Sequence, residues 1–360
     1  MLQKRLTTFK IILLLIVSFS ASFVPAIYSI ADNTFTFTKL AEFATNGRAF
    51  DVQIQDGIAF VADLETGLHI INVSNPEVPE LVFHYNMERS HKVFLTEEIA
   101  YVTNGEYGFE IIDITNLSNP VQLSRYHIGQ FMNTFDIENE LAFIGADGLL
   151  ILNVTNPLIP SKISQYNESG GISSVFVEND LAYLGTFVEG IYSGFTILNI
   201  SDKTNPVQIG QYNTTYYVSG IQVLNDIALV AIWEDGLLLF NVSNPTNPTL
   251  LSSYFDGGMA EKAHFVDKYA YVADYSNGLE ILNIEDPRSP IEVGQFFDGG
   301  GAYAIAIKDD LVFVADNTEG LEIVRISGFS PTQETSSISI SLAVPLMLLF
   351  ITIFSIKKKK

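Results

Sequence analysis

Between residues 38 and 327 the apolar residues fall in short blocks separated by polar turns, and the blocks recur along the chain. A glycine stands at Gly67, Gly108, Gly148, Gly194, Gly236, Gly278 and Gly320, at spacings of 41, 40, 46, 42, 42 and 42 residues. Each glycine opens a near-identical apolar run, at residues 68–73, 109–114, 149–154, 195–200, 237–242, 279–284 and 321–326. Self-similarity at a fixed period of this length is the mark of a repeat architecture.

The other blocks of the repeat are placed by the same alignment. Behind the apolar run come turns such as Ser74-Asn75-Pro76, Ser118-Asn119-Pro120 and Ser243-Asn244-Pro245. Proline there fixes φ and lacks an N–H, and Ser and Asn bond their own backbone, so a strand must end. Upstream of the glycine lies a short strand with alanine near its start, at 58–61, 99–102, 141–144, 181–184, 227–230 and 269–272, and at 311–314 without the alanine. A further strand precedes it, as at 50–54, 134–137 and 304–307, and a fourth follows the proline turn, as at 121–126 and 207–212. The blocks are rich in β-branched and aromatic residues with turn signals every eight to twelve positions, and no helical period competes.

Four strands in about 42 residues make one propeller blade, and stacking seven such sheets radially leaves few exposed edges. The expected fold class is therefore all-β, a seven-bladed β-propeller of four-stranded blades, with a sandwich or a solenoid as the rival. The seventh repeat stops at its third strand near Ser327, and the missing fourth-strand pattern appears at the start of the domain in residues 38–43. An N-terminal strand completing the last blade, paired with residues 321–326, is the expectation that separates a closed ring from a solenoid.

The ends read differently. Lys4, Arg5 and Lys10 precede an apolar stretch from Ile11 to about Val24 and small residues at Ser29 and Ala31, which reads as a signal peptide over 1–31. The propeller is expected over 32–330 and a linker over 331–336. The apolar run 337–356, followed by Lys357 to Lys360, reads as a C-terminal transmembrane helix with a cytoplasmic lysine tail at 357–360. That arrangement would put the propeller on the extracellular side of a cell membrane, anchored through the helix.

Composition narrows the function. No cysteine occurs among the 360 residues, which removes disulfides, thiolate metal sites and cysteine nucleophiles. The span from Asp32 to Glu334 holds all 41 acidic and only 12 of the 19 basic residues, an excess of 29 negative charges. So anionic a surface repels nucleic acid.

The run Gly-Leu-x-Ile-Leu-Asn with a Ser-Asn-Pro turn behind it, preceded by Ala-Tyr-Val-Ala-Asp, resembles the LVIVD repeat of secreted and surface proteins. Residues 270–274 and 278–284 carry the match, and the resemblance covers about Lys39 to Ser327. Asparagine mostly replaces the family's aspartate, which survives at Asp113, and Arg325 stands there in the last copy. The resemblance implies a propeller fold and a surface location and brings no catalytic residues with it.

In a propeller, the loops entering each first strand and those joining second to third strands share the face around the channel. The first set offers Arg48, Glu88, Arg89, His91, His127, Glu261, Lys262 and Asp298. The second offers Asp63, Glu106, Asp147, Trp233, Glu234, Asp235, Asp274 and Asp316, with Trp233 the only tryptophan. His91 and His264 stand on or near first strands with Glu88 and Glu261 close in sequence, but the spacing singles out neither a nucleophile nor a base. The recurring Asp-x-x-x-Gly at Asp63, Asp274 and Asp316 suits calcium through its oxygens and suits a hairpin turn through its backbone needs. Neither a cofactor nor a dedicated metal is otherwise implied. Of seven Asn-x-Ser/Thr sequons, Asn167 and Asn213 lie on loops of the binding face and are the stronger glycosylation candidates, while Asn72, Asn153, Asn199 and Asn241 are also the strand-end asparagine of the repeat. The functional expectation is a noncatalytic binding, adhesion or envelope-interaction module for a protein or glycan. A hydrolase or lyase using acids and histidine at the channel mouth is the alternative, and a structural envelope component a third reading.

Overall fold

In a computed structural model of the protein, residues 35–130, 132, 134–167, 170–188 and 192–328 are described. They form seven four-stranded antiparallel sheets. Six are built from consecutive strands, the first of them from Ala49–Gln55, Ile58–Asp63, Gly67–Asn72 and Glu80–Asn86. The signal peptide over 1–31, the linker 331–336, the apolar run 337–356 and the tail 357–360 lie outside the described residues. Among the described residues no helix is long and apolar enough to cross a membrane.

The seventh sheet closes the ring in the way the repeats demand. Thr36–Phe43 pairs antiparallel with Gly320–Ser327, aligning Phe43 with Leu321 and Phe37 with Ile326. Every pairing of third with fourth strand carries a bulge at the same place, for example between Ile151 and Leu152 and between Ile281 and Leu282. The N-terminal strand reproduces it between Lys39 and Ala41, with Leu40 as the extra residue. It is a fourth strand in register as well as in sequence.

The core is divided among the blade interfaces. Seven clusters of buried side chains occur among the described residues, and each joins two neighbouring blades: Val61 and Ile71 meet Ala304 and Phe313, and Phe60 and Ile70 meet Val93 and Val102. Second and third strands are thus buried on both faces, which is why they read as continuous apolar runs rather than alternating ones. Outer strands such as Val121–Tyr126 face solvent and carry polar residues.

Two repeat residues have purely local causes. Gly67 has φ +107°, and a Cβ there would overlap the Tyr85 carbonyl oxygen of the fourth strand. At the strand end, the Oδ1 of Asn72, Asn153, Asn199 and Asn241 accepts the N–H two residues on, and the Oδ1 of Asp113 accepts that of Thr115. Asparagine and aspartate offer the same acceptor in this turn, so the replacement of one by the other costs the fold nothing.

Candidate functional site

The first strands line the central channel: those of neighbouring blades pack against each other around most of the ring. Their inward side chains stand in three tiers. Phe50, His91, Ser173, Ser219, Glu261 and Tyr303 form the mouth tier. Asp51, Lys92, Thr134, Ser174 and Lys262 stand below it, and Gln53, Phe94, Asp136, Phe176, Gln222 and His264 deeper still. All of them line one cavity of about 670 Å³.

The mouth tier exists because the strands bulge. In blades 1, 4, 6 and 7 the pairing of first with second strand skips one residue, and the residues skipped are Phe50, Ser173, Glu261 and Tyr303. A bulge turns the extra side chain out of the alternation, so these four join the wall. Below them polar side chains tie one blade to the next. Asp51 Oδ2 accepts the Val93 N–H at 3.1 Å and Asp136 Oδ2 that of Val177 at 2.8 Å. Gln222 Oε1 accepts the Phe265 N–H at 2.7 Å.

Charge in the channel is sparse and perturbed. Lys262 Nζ crosses from blade 6 to Asp51 Oδ1 of blade 1 at 2.7 Å. Lys92 forms no ion pair among the described residues; its ammonium lies 5.7 Å from the Phe135 ring centroid. Burial holds its pKa below the ordinary lysine value, with Asp136 and Asp51 pulling the other way and Lys262 adding to the depression. Burial, helped by Lys262, takes His264 down to about 4, and burial likewise brings His91 to about 4. Burial pushes the Glu261 carboxyl up to about 7, against the attraction of Lys262.

Aromatic rings surround the mouth. Phe50 and Tyr303 stack with centroids 4.1 Å apart, Tyr275 follows at 5.2 Å from Tyr303, and His91 meets Phe50 edge-on at 5.0 Å. Tyr217 and Trp233 make a second pair at 5.5 Å. Trp233 has φ +49°, a left-handed conformation that bulky residues rarely adopt. Reciprocal backbone hydrogen bonds with Ala260 of the next blade, at 3.2 and 3.1 Å, hold it there. Burial and the Glu261 charge push the Tyr303 phenol up to about 12, so it is a neutral hydrogen-bond donor at physiological pH.

The residues expected at this face separate into groups. His91, Trp233, Glu261 and Lys262 line the cavity. Arg48 is bound by Glu65 at 2.6 Å above Phe50, outside the lining. Glu88, Arg89 and His127 are exposed and do not line it. Glu234 engages Tyr216, and Asp235 sits in the same turn with its N–H on the Ile232 carbonyl. Asp63, Asp274 and Asp316 are buried beneath their turns, where each Oδ1 accepts the N–H groups two and three residues on. Their recurrence thus has a backbone cause. Asp298 binds Lys39 at 2.7 Å in a cluster away from the channel. Asn167 and Asn213 are exposed. Asp51, Asp136, Gln222 and His264 stand inside first strands and Lys92 immediately before one, where a charged or amide side chain beside apolar residues is the available signal.

Comparison with known proteins agrees with this architecture. The LVIVD repeat model matches residues 46–87, 89–127, 169–214, 217–256, 257–298 and 299–339. The chain belongs to the LVIVD repeat family. The unmatched stretch 128–168 of this LVIVD protein still builds a blade of the same strand order. Its turn between second and third strands is cut to Asp147, and Leu150 replaces the polar residue found at His69, Glu110 and Glu280. No curated protein matches the chain. Among solved structures, the WD40 domain of Neurospora crassa Pan2 is similar with a TM-score of 0.64 at 9% identity, over 80% of this chain and 95% of that one. U3-55K gives 0.64 at 6% identity over 80% and 98%, and the computationally designed Ika8 protein 0.60 at 7% over 80% and 99%. At such identities the likeness is one of fold alone.

Proposed function

We propose that this LVIVD protein is a noncatalytic binding module, held at the outside of a cell membrane by its C-terminal apolar run, and that the channel mouth takes a saccharide. The observation that carries this reading is the aromatic mouth above a polar wall. Flat rings at Phe50, Tyr303, Tyr275, Tyr217 and Trp233 suit the C–H faces of sugar rings, and Ser173, Ser219, Gln53 and Gln222 suit hydroxyl groups. Lys92, a channel lysine that forms no ion pair among the described residues, favours a sugar that carries a carboxylate or another anionic group. In a chain otherwise so acidic, a basic group in the channel wall just below the mouth discriminates by charge rather than merely attracting.

Glycan-array binding of the full-length chain tests this. Acidic oligosaccharides are expected to give the strongest signals, and Lys92→Met to lose them preferentially. An array with no saturable signal, or a preference for anionic glycans unchanged in Lys92→Met, contradicts the reading. One observation favours a second reading, a hydrolase or lyase: Glu261 is held at about 7 beside the mouth, where a general acid or base works best. Turnover of a bound polysaccharide that is abolished by Glu261→Gln would establish it in place of simple binding.

A further inference from the structure

Away from the channel, the residue two positions after each repeat glycine is buried, and it is acidic in three copies: Glu110, Glu280 and Glu322. Two of the three receive a cation from the chain. Arg125, directly opposite Glu110 on the fourth strand, binds it through Nη2. Lys39 Nζ lies at the centre of four carboxylates in blade 7, 2.7 Å from Glu322, 2.7 Å from Asp298, 2.9 Å from Glu319 and 2.9 Å from Glu42.

Blade 6 repeats that cluster without its cation. Asp256 and Glu280 correspond to Asp298 and Glu322, Asn277 to Glu319 and Gln295 to Glu42, each one repeat earlier. The position of Lys39, paired with Val324, corresponds to Glu292, paired with Leu282. Glu292 adds another negative group and accepts a hydrogen bond from Tyr254. Among the described residues no Lys, Arg or His nitrogen forms an ion pair with Asp256, Asp274 or Glu280. Glu280 is 1% exposed, and its Oε1 has no hydrogen-bond partner. A buried carboxylate oxygen left so is costly unless something meets it.

We propose that Asp256, Asp274 and Glu280 hold a calcium ion, which does in blade 6 what the Lys39 ammonium does in blade 7. One oxygen from each of the three lies within 4.8 Å of the others, a separation that a single ion bridges at calcium–oxygen distances of about 2.3–2.6 Å. Asp274 Oδ1 is occupied by the N–H groups of Met259, Ser276 and Asn277, which fixes the carboxylate and leaves Oδ2 to the ion. Asn277, now 2.6 Å from Asp256 Oδ2 through Nδ2, brings a neutral oxygen within reach on turning its amide, and water completes the shell. An all-oxygen set with mixed acid and amide donors is hard and adaptable, which favours calcium over magnesium. None of Asp256, Asp274, Asn277 and Glu280 lines the channel cavity, so the site is separate from the proposed saccharide site.

Isothermal titration of the chelator-treated full-length chain with CaCl2 tests this, alongside thermal melting. Saturable binding of one ion per chain with a rise in Tm is expected, with MgCl2 giving a smaller rise. Glu280→Gln keeps the size of the side chain and removes its buried charge, so it should fold as the parent does. In that variant and in Asp256→Asn the affinity should fall at least tenfold and the calcium-dependent rise in Tm should disappear. No heat and no Tm shift up to about 10 mM CaCl2, beyond the range of weak extracellular sites, overturns the proposal. So does calcium binding that persists unchanged in both variants.

Discussion

Glu261 shows what the channel does to a single residue. It stands in the wall only because the first strand of blade 6 bulges between Ala260 and Lys262, and burial raises it from the ordinary 4.5 to about 7. Between those values the folded chain holds a proton that the unfolded chain has released. The stability linked to the neutral carboxyl is therefore full below about 4.5 and is lost as pH rises through about 7. Replacing it by glutamine removes that loss. Glu261→Gln should match the parent Tm near pH 4.5 and exceed it at pH 8, measured by thermal scans at both values; a Tm difference that does not change with pH contradicts the assignment. The histidines run the opposite way. His91 and His264, brought to about 4, favour the folded state above pH 6.5 and lose that contribution on acidification through about 4. The comparison of parent and variant at each pH isolates Glu261 from them.

At the scale of elements, the N-terminal strand closes the ring, and Lys39 is its electrostatic fastening. Glu322 lies on the strand it joins and its side chain is 3% exposed, whereas Lys39 is 27% exposed. Removing the ammonium leaves a buried carboxylate against Asp298 and Glu319, which by the usual cost of breaking a buried pair amounts to about 3 kcal/mol. Solvent reaching Lys39 screens the cluster and reduces that to about 2 kcal/mol. Lys39→Met should lower the midpoint of urea denaturation accordingly, with the slope unchanged; an unaltered midpoint would show the cluster to be a surface ornament. This closure was legible beforehand because a fourth strand keeps its pattern when moved some three hundred residues, down to the bulge at Leu40. The repeat glycines and strand-end asparagines were legible for the same reason: each answers a backbone need that recurs in every copy.

Across the whole molecule, scaffold and site obey different rules, which is why one could be read and the other only partly. The seven interfaces between blades repeat one apolar solution, so alignment of the chain with itself reveals them. The channel is built from what differs between copies. Asp51, Lys92, Ser174 and Lys262 occupy equivalent positions with unlike chemistry, and no periodicity marks them. Loop aspartates at Asp63, Asp274 and Asp316 recur and drew attention for that reason, and in each the Oδ1 serves its own turn. His91, Trp233, Glu261 and Lys262 adjoin loops and His264 neighbours an acid in sequence, so these were legible, whereas nothing in the repeat marks Lys92, Asp136 or Gln222.

Trp233 offers the most direct measurement. It is the only tryptophan of the 360 residues and it lines the proposed saccharide site, so its fluorescence reports on the mouth without a label. Titration of the full-length chain with acidic oligosaccharides should give a saturable change in Trp233 emission, reduced at least tenfold in apparent affinity by Tyr303→Ala and by Lys92→Met. Emission that stays constant throughout the titration, or an affinity indifferent to both substitutions, would contradict the account.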